Sequence, residues 1–318
     1  MNQTTVSTPD KNLLSTKDKI RHILENNPGE IQFGLTNDYM FRAVFQKNQT
    51  ALKGLIAAAL GFKPEEITSC TVLNPIILGE SFNAKTCVLD IRVCINNRIH
   101  VNIEMQMGRF FNWPKRSLYY TCSMFSGLRA GQDYNEAPPC VHIGFVSNSP
   151  FEDDQQFFSR YLLTEETSRR VLTDDFSIVM INLKHIPKGL PEGDALRELQ
   201  CWTQLLCAKD WKEAIHMAEE STIMQEAIVT MYELSQEQKI REQCLARILY
   251  DGDMNGARQN GFEAGEISGY SKGEQRLSDL NLRLIQADRM DDLVRAASDP
   301  DYRNQLMKEF GLYGEPKE

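Results

Sequence analysis

Two segments, Val88 to Ile95 and Arg98 to Gln106, alternate apolar and polar residues with only Asn96-Asn97 between them, and no other stretch restricts folding as tightly. In a strand successive side chains point to opposite faces, so Leu89, Ile91, Val93 and Ile95 share one face while Asp90 and Arg92 lie opposite. In the second segment Ile99, Val101, Ile103 and Met105 are the apolar face, and His100, Asn102, Glu104 and Gln106 the polar one. Asparagine tolerates the positive φ of a two-residue hairpin turn. With Asn96-Asn97 as that turn, Asp90 falls near Glu104 and Asn102. Two carboxylates and a carboxamide meeting this way suit a hard divalent cation, which takes oxygen ligands and leaves positions for water and a phosphate. The same residues also read as the solvent-facing side of an ordinary hairpin.

The surrounding chain mixes helices and strands. Thr36-Asn37-Asp38 can cap a helix carrying Met40, Phe41, Val44 and Phe45 on one stripe, and a second helix from Thr50 to Leu60 stops at Gly61. Strands are expected over Cys70 to Leu78, Thr86 to Ile95, Arg98 to Met107, Val141 to Val146 and Phe176 to Leu183, with a helix from Lys115 to Ala130 ending at Gly131. Beyond Pro191 only helices are expected, beginning with Ala195 to Ala208 and Asp210 to Leu249. This divides the chain into a polar tail over 1–29 with a short helix, a mixed domain over 30–190 and a helical region over 191–318. Within the last, glycines recur at 252, 256, 261, 265, 269 and 273. A helix there would lose about 1 kcal/mol per glycine relative to alanine and would need close packing against a second helix. A flexible linker is the other reading, and the regular spacing favours the helix.

A net charge of -9 argues at first against a phosphate-rich partner. The acid is unevenly placed, however: residues 1–190 carry a net charge of +1 and residues 191–318 a net charge of -10. Charge therefore neither supports nor excludes nucleic acid. No apolar run approaches the roughly 18 residues of a membrane helix, and residues 1–29 lack the apolar segment of a secretion signal. The eight cysteines never form a C-x-x-C pair, so neither a zinc site nor a disulfide framework is indicated and a reducing cytoplasm fits best.

Four pieces, in order, carry a family resemblance: Leu35-Thr36-Asn37-Asp38-Tyr39-Met40-Phe41-Arg42-Ala43-Val44-Phe45; Leu89-Asp90-Ile91-Arg92; Asn102-Ile103-Glu104-Met105-Gln106; and Arg116 with Tyr119-Tyr120. Over about Gly34 to Leu183 the chain resembles the Rpn family of recombination-promoting nucleases and transposases, within the PD-(D/E)xK nuclease superfamily. The resemblance implies an α/β fold, a restriction-endonuclease-like core with a central mixed sheet flanked by helices, followed by the all-helical region. It also implies hydrolysis of DNA phosphodiesters with Mg2+, or with Mn2+ or Ca2+ in its place. Asp90 and Glu104 match the two carboxylate metal ligands, and Gln106 stands where the wider superfamily has lysine, as is usual in this family. A glutamine can orient water or hydrogen-bond a phosphate but brings no positive charge. Arg116 could supply that charge at a DNA phosphate, with Tyr120 one turn on helping to seat the backbone. Lys115 and Arg109 add charge nearby. Asp38 matches an acidic family position and could hold a water of the metal's coordination sphere, or could simply be an acid favoured at a helix N-terminus.

The expected function is a metal-dependent DNA endonuclease of mobile-element recombination or phage defence. The helical region would make a homodimer, and a product begun at an internal methionine (Met217, Met224, Met231 or Met254) could pair with it as a short regulator. The alternative is a catalytically weak nuclease-fold protein that binds DNA or a protein through its helical region. His100 lies at the far end of its strand from Gln106, and His142 reads as a core histidine. No P-loop, dinucleotide fingerprint or G-x-S-x-G is present.

Overall fold

A computed structural model describes residues 15–27, 29–77, 87–108, 112–128, 130–151, 153–189 and 194–312. The tail up to residue 14, Leu78, Thr86 and Arg109 lie outside them. The chain divides into two compact units, 1–249 and 250–318.

In the first unit, α1 (Thr16–Asn26) starts where the Ser15 side chain accepts the Asp18 N–H, and it buries Ile23. In α2 (Asp38–Lys47) the Asn37 side chain caps the N–H groups of Tyr39 and Met40, and the stripe of Met40, Phe41, Val44 and Phe45 is buried as its spacing predicts. Asn48 caps α3 (Gln49–Leu60), and Gly61, at φ +74°, ends it in the left-handed conformation that glycine adopts without strain. The strands β1 (Cys70–Val72), β2 (Ile76–Ile77), β3 (Cys87–Val88), β4 (Ile91–Ile95) and β5 (Ile99–Gln106) lead into α4 (Trp113–Phe125). Then come β6 (Cys140–Val146), β7 (Phe158–Leu162) and β8 (Phe176–Asn182), followed by α5 (Asp194–Cys207), α6 (Trp211–Met217), α7 (Thr222–Gln236) and the first turns of α8 (Gln238–Gln286).

Six strands form one mixed sheet in the order β1-β4-β5-β6-β8-β7, with β5, β6 and β8 parallel and the outer pairings antiparallel. The parallel step from β5 to β6 needs a crossover, and α4 lies in it. Every residue of β6 and β8 is buried, as in strands covered on both faces. The apolar odd-numbered residues of β5, β6 and β8, among them Ile103, Phe145 and Val179, join α1–α3 and α5–α7 in the main core. There the Phe45 ring meets Trp202 at 6.0 Å between centroids. This is the α/β architecture expected from the sequence: a central mixed sheet flanked by helices, then a helical C-terminal region.

The structure corrects several expected boundaries. The single strand expected from Thr86 breaks at Leu89-Asp90, separating β3 from β4, because Leu89 N–H bonds to Pro75 and the Asp90 side chain takes a backbone partner on β5. The strand expected from Cys70 likewise splits into β1, on the main sheet, and β2, paired with β3. Helix α4 ends at Phe125, with Ser126 as its cap, so Gly131 is a turn residue at φ +89° and not the helix stop. The helix expected over Asp210 to Leu249 is interrupted twice, and Ser221 caps α7 after the first break. The edge strand β7 is not among the strands expected from the sequence.

In the second unit α8 continues, and α9 (Met290–Ser298) and α10 (Pro300–Glu309) gather around Leu280, Leu284, Ala296 and Leu306. The six spaced glycines are helical, so this segment is not a linker. A Cβ placed on any of them meets nothing within 4 Å, so the close packing expected of a helical glycine series is not made among the described residues. Nor do they keep to one face: a four-residue step overshoots the 3.6-residue turn by about 40°, so the series winds around the helix.

Candidate active site

Asn96 and Asn97 have φ values of +51° and +54°, the two positive angles of a type I′ turn. They set the β4–β5 register with Ile91 opposite Ile103 and Arg92 opposite Asn102. Continuing that register brings Asp90 to Glu104, and the Met105 N–H donates to Asp90 Oδ2 at 3.1 Å.

The polar face is not open to solvent at its centre: Asn102 is 0 % exposed and Glu104 6 %. The centre of that face is therefore not the solvent-facing side of an ordinary hairpin. The cover comes from α4, whose first residue, Trp113, lies on β6 at Gly144, where a Cβ would stand 2.6 Å from Trp113 Cζ2. Only glycine leaves that space.

The Glu104 carboxylate is held at both oxygens. Asn102 Nδ2 donates to Oε1 at 3.3 Å, and Arg116 faces Oε2 at 3.5 Å. Asn102 Nδ2 also contacts His142 Nδ1 at 3.0 Å, which requires Nδ1 to accept and puts the proton of the neutral ring on Nε2. Burial, and after it Arg116, pushes the His142 pKa down to about 3, so the ring is an uncharged prop under Asn102. Arg116 also donates to Gln106 Oε1 and lies 6.0 Å from the centre of the Tyr120 ring. Asp90, Glu104, Gln106, Arg116 and Tyr120 are thus brought together, while Tyr119 is 45 % exposed and Lys115 is at the surface.

Burial, followed by the neighbouring Asp90, pushes the Glu104 pKa up to about 7. Asp90 is raised too, first by burial, and is held back mainly by the Met105 N–H and then Arg42, while Asp38 pushes it higher. Asp38 therefore stands within electrostatic reach of the pair. It is the first residue of α2, with Arg42 Nη2 at 3.8 Å and Arg247 Nε at 3.1 Å from its Oδ2. Its Oδ1 is buried without a hydrogen-bond partner.

Arg42, Arg247 and Trp113 are contributors that sequence reasoning missed. Arg42 is one helical turn from Asp38 and was open to discovery by that spacing. Arg247 and Trp113 reach the site through long-range packing that local spacing does not signal.

A model of the PD-(D/E)XK nuclease family transposases matches residues 35–260. The chain belongs to that family. No curated protein and no solved structure matches it. The expected resemblance is borne out, and with it a nuclease-like, transposase-related function on phosphodiester bonds. PD-(D/E)XK nucleases generally use divalent metal ions, and the donor set here fits one. Two mutually repelling carboxylates lie side by side, and the oxygens Asp38 Oδ1 and Asn102 Oδ1 are buried with no donor. Among the described residues no group of three or more His, Cys, Asp or Glu forms a complete ligand cluster. The two carboxylates would serve a cation that keeps water and phosphate among its ligands. No helix of the described residues is long and apolar enough to cross a membrane.

Proposed function

We propose that this PD-(D/E)XK family member is a metal-dependent DNA endonuclease, with Asp90 and Glu104 as ligands of Mg2+ (or Mn2+ or Ca2+). The observation that carries the reading is the pair of carboxylates on the buried polar face, each oriented by its own partners and both raised in pKa. A divalent cation bound there would stabilise negative charge on the phosphate and lower the pKa of an attacking water. Glu104 must lose its proton to serve as a ligand, and Asn102 holds the Oε1 that would do so. Gln106 carries no charge, so Arg116, in contact with both Gln106 and Glu104, would be the cation that meets the phosphate. Tyr120 lies under that guanidinium and steadies it. Asp38 would hold water beside the pair.

In this proposal the helical C-terminal region is where two copies associate. A short product begun at an internal methionine would carry the same segment and act as a regulator. All eight cysteines are free, which supports a cytoplasmic setting. Recombination of mobile elements and phage defence are the two settings in which such a nuclease would act.

Plasmid cleavage with Mg2+, comparing wild type with Glu104→Ala at matched concentration, tests the central claim. Nicking by the wild type alone is the expected result. Silence of both across divalent metals would move the function to DNA or protein binding without cleavage.

A further inference from the structure

We propose that Arg247, on the first turns of α8, is a positioning residue that holds Asp38 beside the carboxylate pair; the inference rests on the nuclease reading above.

The contact is part of a clamp between two segments far apart in the chain. Arg247 Nε meets Asp38 Oδ2 at 3.1 Å. One residue earlier, Asn37 Nδ2 donates to the Cys244 carbonyl at 3.1 Å, while Asn37 Oδ1 caps α2. Cys244 is itself 0 % exposed in the main core, so this turn of α8 is anchored and not a loose end. At the other end of α2, Lys47 pairs with Glu237 at 3.3 Å.

The electrostatics give the clamp a purpose. Asp38 and Asp90 repel each other, and Asp38 must be held against that repulsion. Arg42 is too distant from Oδ2, at 3.8 Å, for a good hydrogen bond, which leaves Arg247 as the short contact. With Oδ2 occupied, Oδ1 is the oxygen left buried and unpaired. A buried acceptor without a donor is costly, and such a group is tolerated where function supplies its partner. Arg247 thus selects the Asp38 conformation in which Oδ1 is available for water.

The test uses the full-length chain, with Mg2+-dependent plasmid nicking resolved into kcat and KM. Arg247→Ala should lower kcat about 10-fold, the usual scale for a group that orients a metal-site residue. KM for DNA should stay within about twofold, because no binding contact is removed. Arg247→Lys, which keeps the charge and one donor, should recover most of the loss. In an Asp38→Asn background Arg247→Ala should add no further loss, the non-additivity expected when one residue acts through the other. Glu237→Ala, which breaks the ion pair of Lys47 at the far end of α2, should cut like wild type. If Arg247→Ala does not fold, Arg247→Gln carries the same comparison.

Wild-type kcat in Arg247→Ala, or an undiminished loss in the Asp38→Asn background, overturns the inference while leaving the nuclease reading intact. A raised KM with a reduced salt dependence also overturns it, since that would make Arg247 a phosphate contact. A wild type that cuts nothing in any divalent metal overturns the nuclease reading and this inference with it.

Discussion

The Met105 N–H donates to Asp90 Oδ2 at 3.1 Å, so one site carboxylate is tied to the strand that carries the other. Asp90 gives up its place in the β4 ladder and bonds across to β5 through its side chain. Asp90→Asn keeps an acceptor for that N–H and removes the repulsion with Glu104. It should unfold at no lower urea concentration than wild type at pH 8 and yet cut no DNA. Asp90→Ala, leaving the N–H without a partner, should lose about 1–3 kcal/mol as well as activity.

Stability should depend on pH through Glu104. Its folded pKa, about 7, lies above the ordinary carboxylate range, so between that range and pH 7 the folded chain binds more protons than the unfolded one. Stability is therefore greatest at low pH within this window and falls as pH rises to about 7. Thermal melts of the metal-free protein from pH 5 to pH 8 should show the decline, Glu104→Gln should flatten it, and Mn2+ at pH 8 should recover the lost stability. A melting temperature that rises across the window would contradict the burial of Glu104.

Gly144→Ala should be costly despite adding one methyl group. Its Cβ would fall 2.6 Å from Trp113 Cζ2 and 3.3 Å from Trp113 Nε1. Forcing the indole away should destabilise the protein by about 1–3 kcal/mol in urea unfolding. Trp113 begins α4, which also carries Arg116, so nicking should fall too. Trp113→Leu in the same chain should restore part of the stability if the clash is the cause.

Arg116→Ala should reduce nicking about 100-fold, the scale of removing one charge-stabilising donor. Arg116→Lys should keep some activity but lose the planar contact with both Glu104 and Gln106. Equal activity of both variants with wild type would show that the charge beside Gln106 is not used.

Much of the hairpin is legible in the sequence because its two determinants are local: a period of two and a turn pair that accepts positive φ. The α2 stripe and the stop at Gly61 are legible for the same reason. The break at Asp90 is not, since it depends on a backbone N–H fifteen positions further along. Nor is β7, a half-exposed edge strand that lacks a continuous apolar face. Of the site, Asp90, Glu104, Gln106 and Arg116 can be named from pattern and resemblance, whereas the mutual orientation of their side chains cannot.

Local pattern is enough to set which residues share the polar face of β5, because side-chain alternation follows from covalent geometry. Whether that face meets water is a question of packing. Trp113 resting on Gly144 closes it, His142 props Asn102 from the next strand, and Arg247 arrives from a helix near the far end of the first unit to hold Asp38. Removal from water is the first cause of the raised Glu104 pKa and the Asp90 charge the second, because a carboxylate's charge is disfavoured both by the loss of its solvent and by a like charge brought beside it.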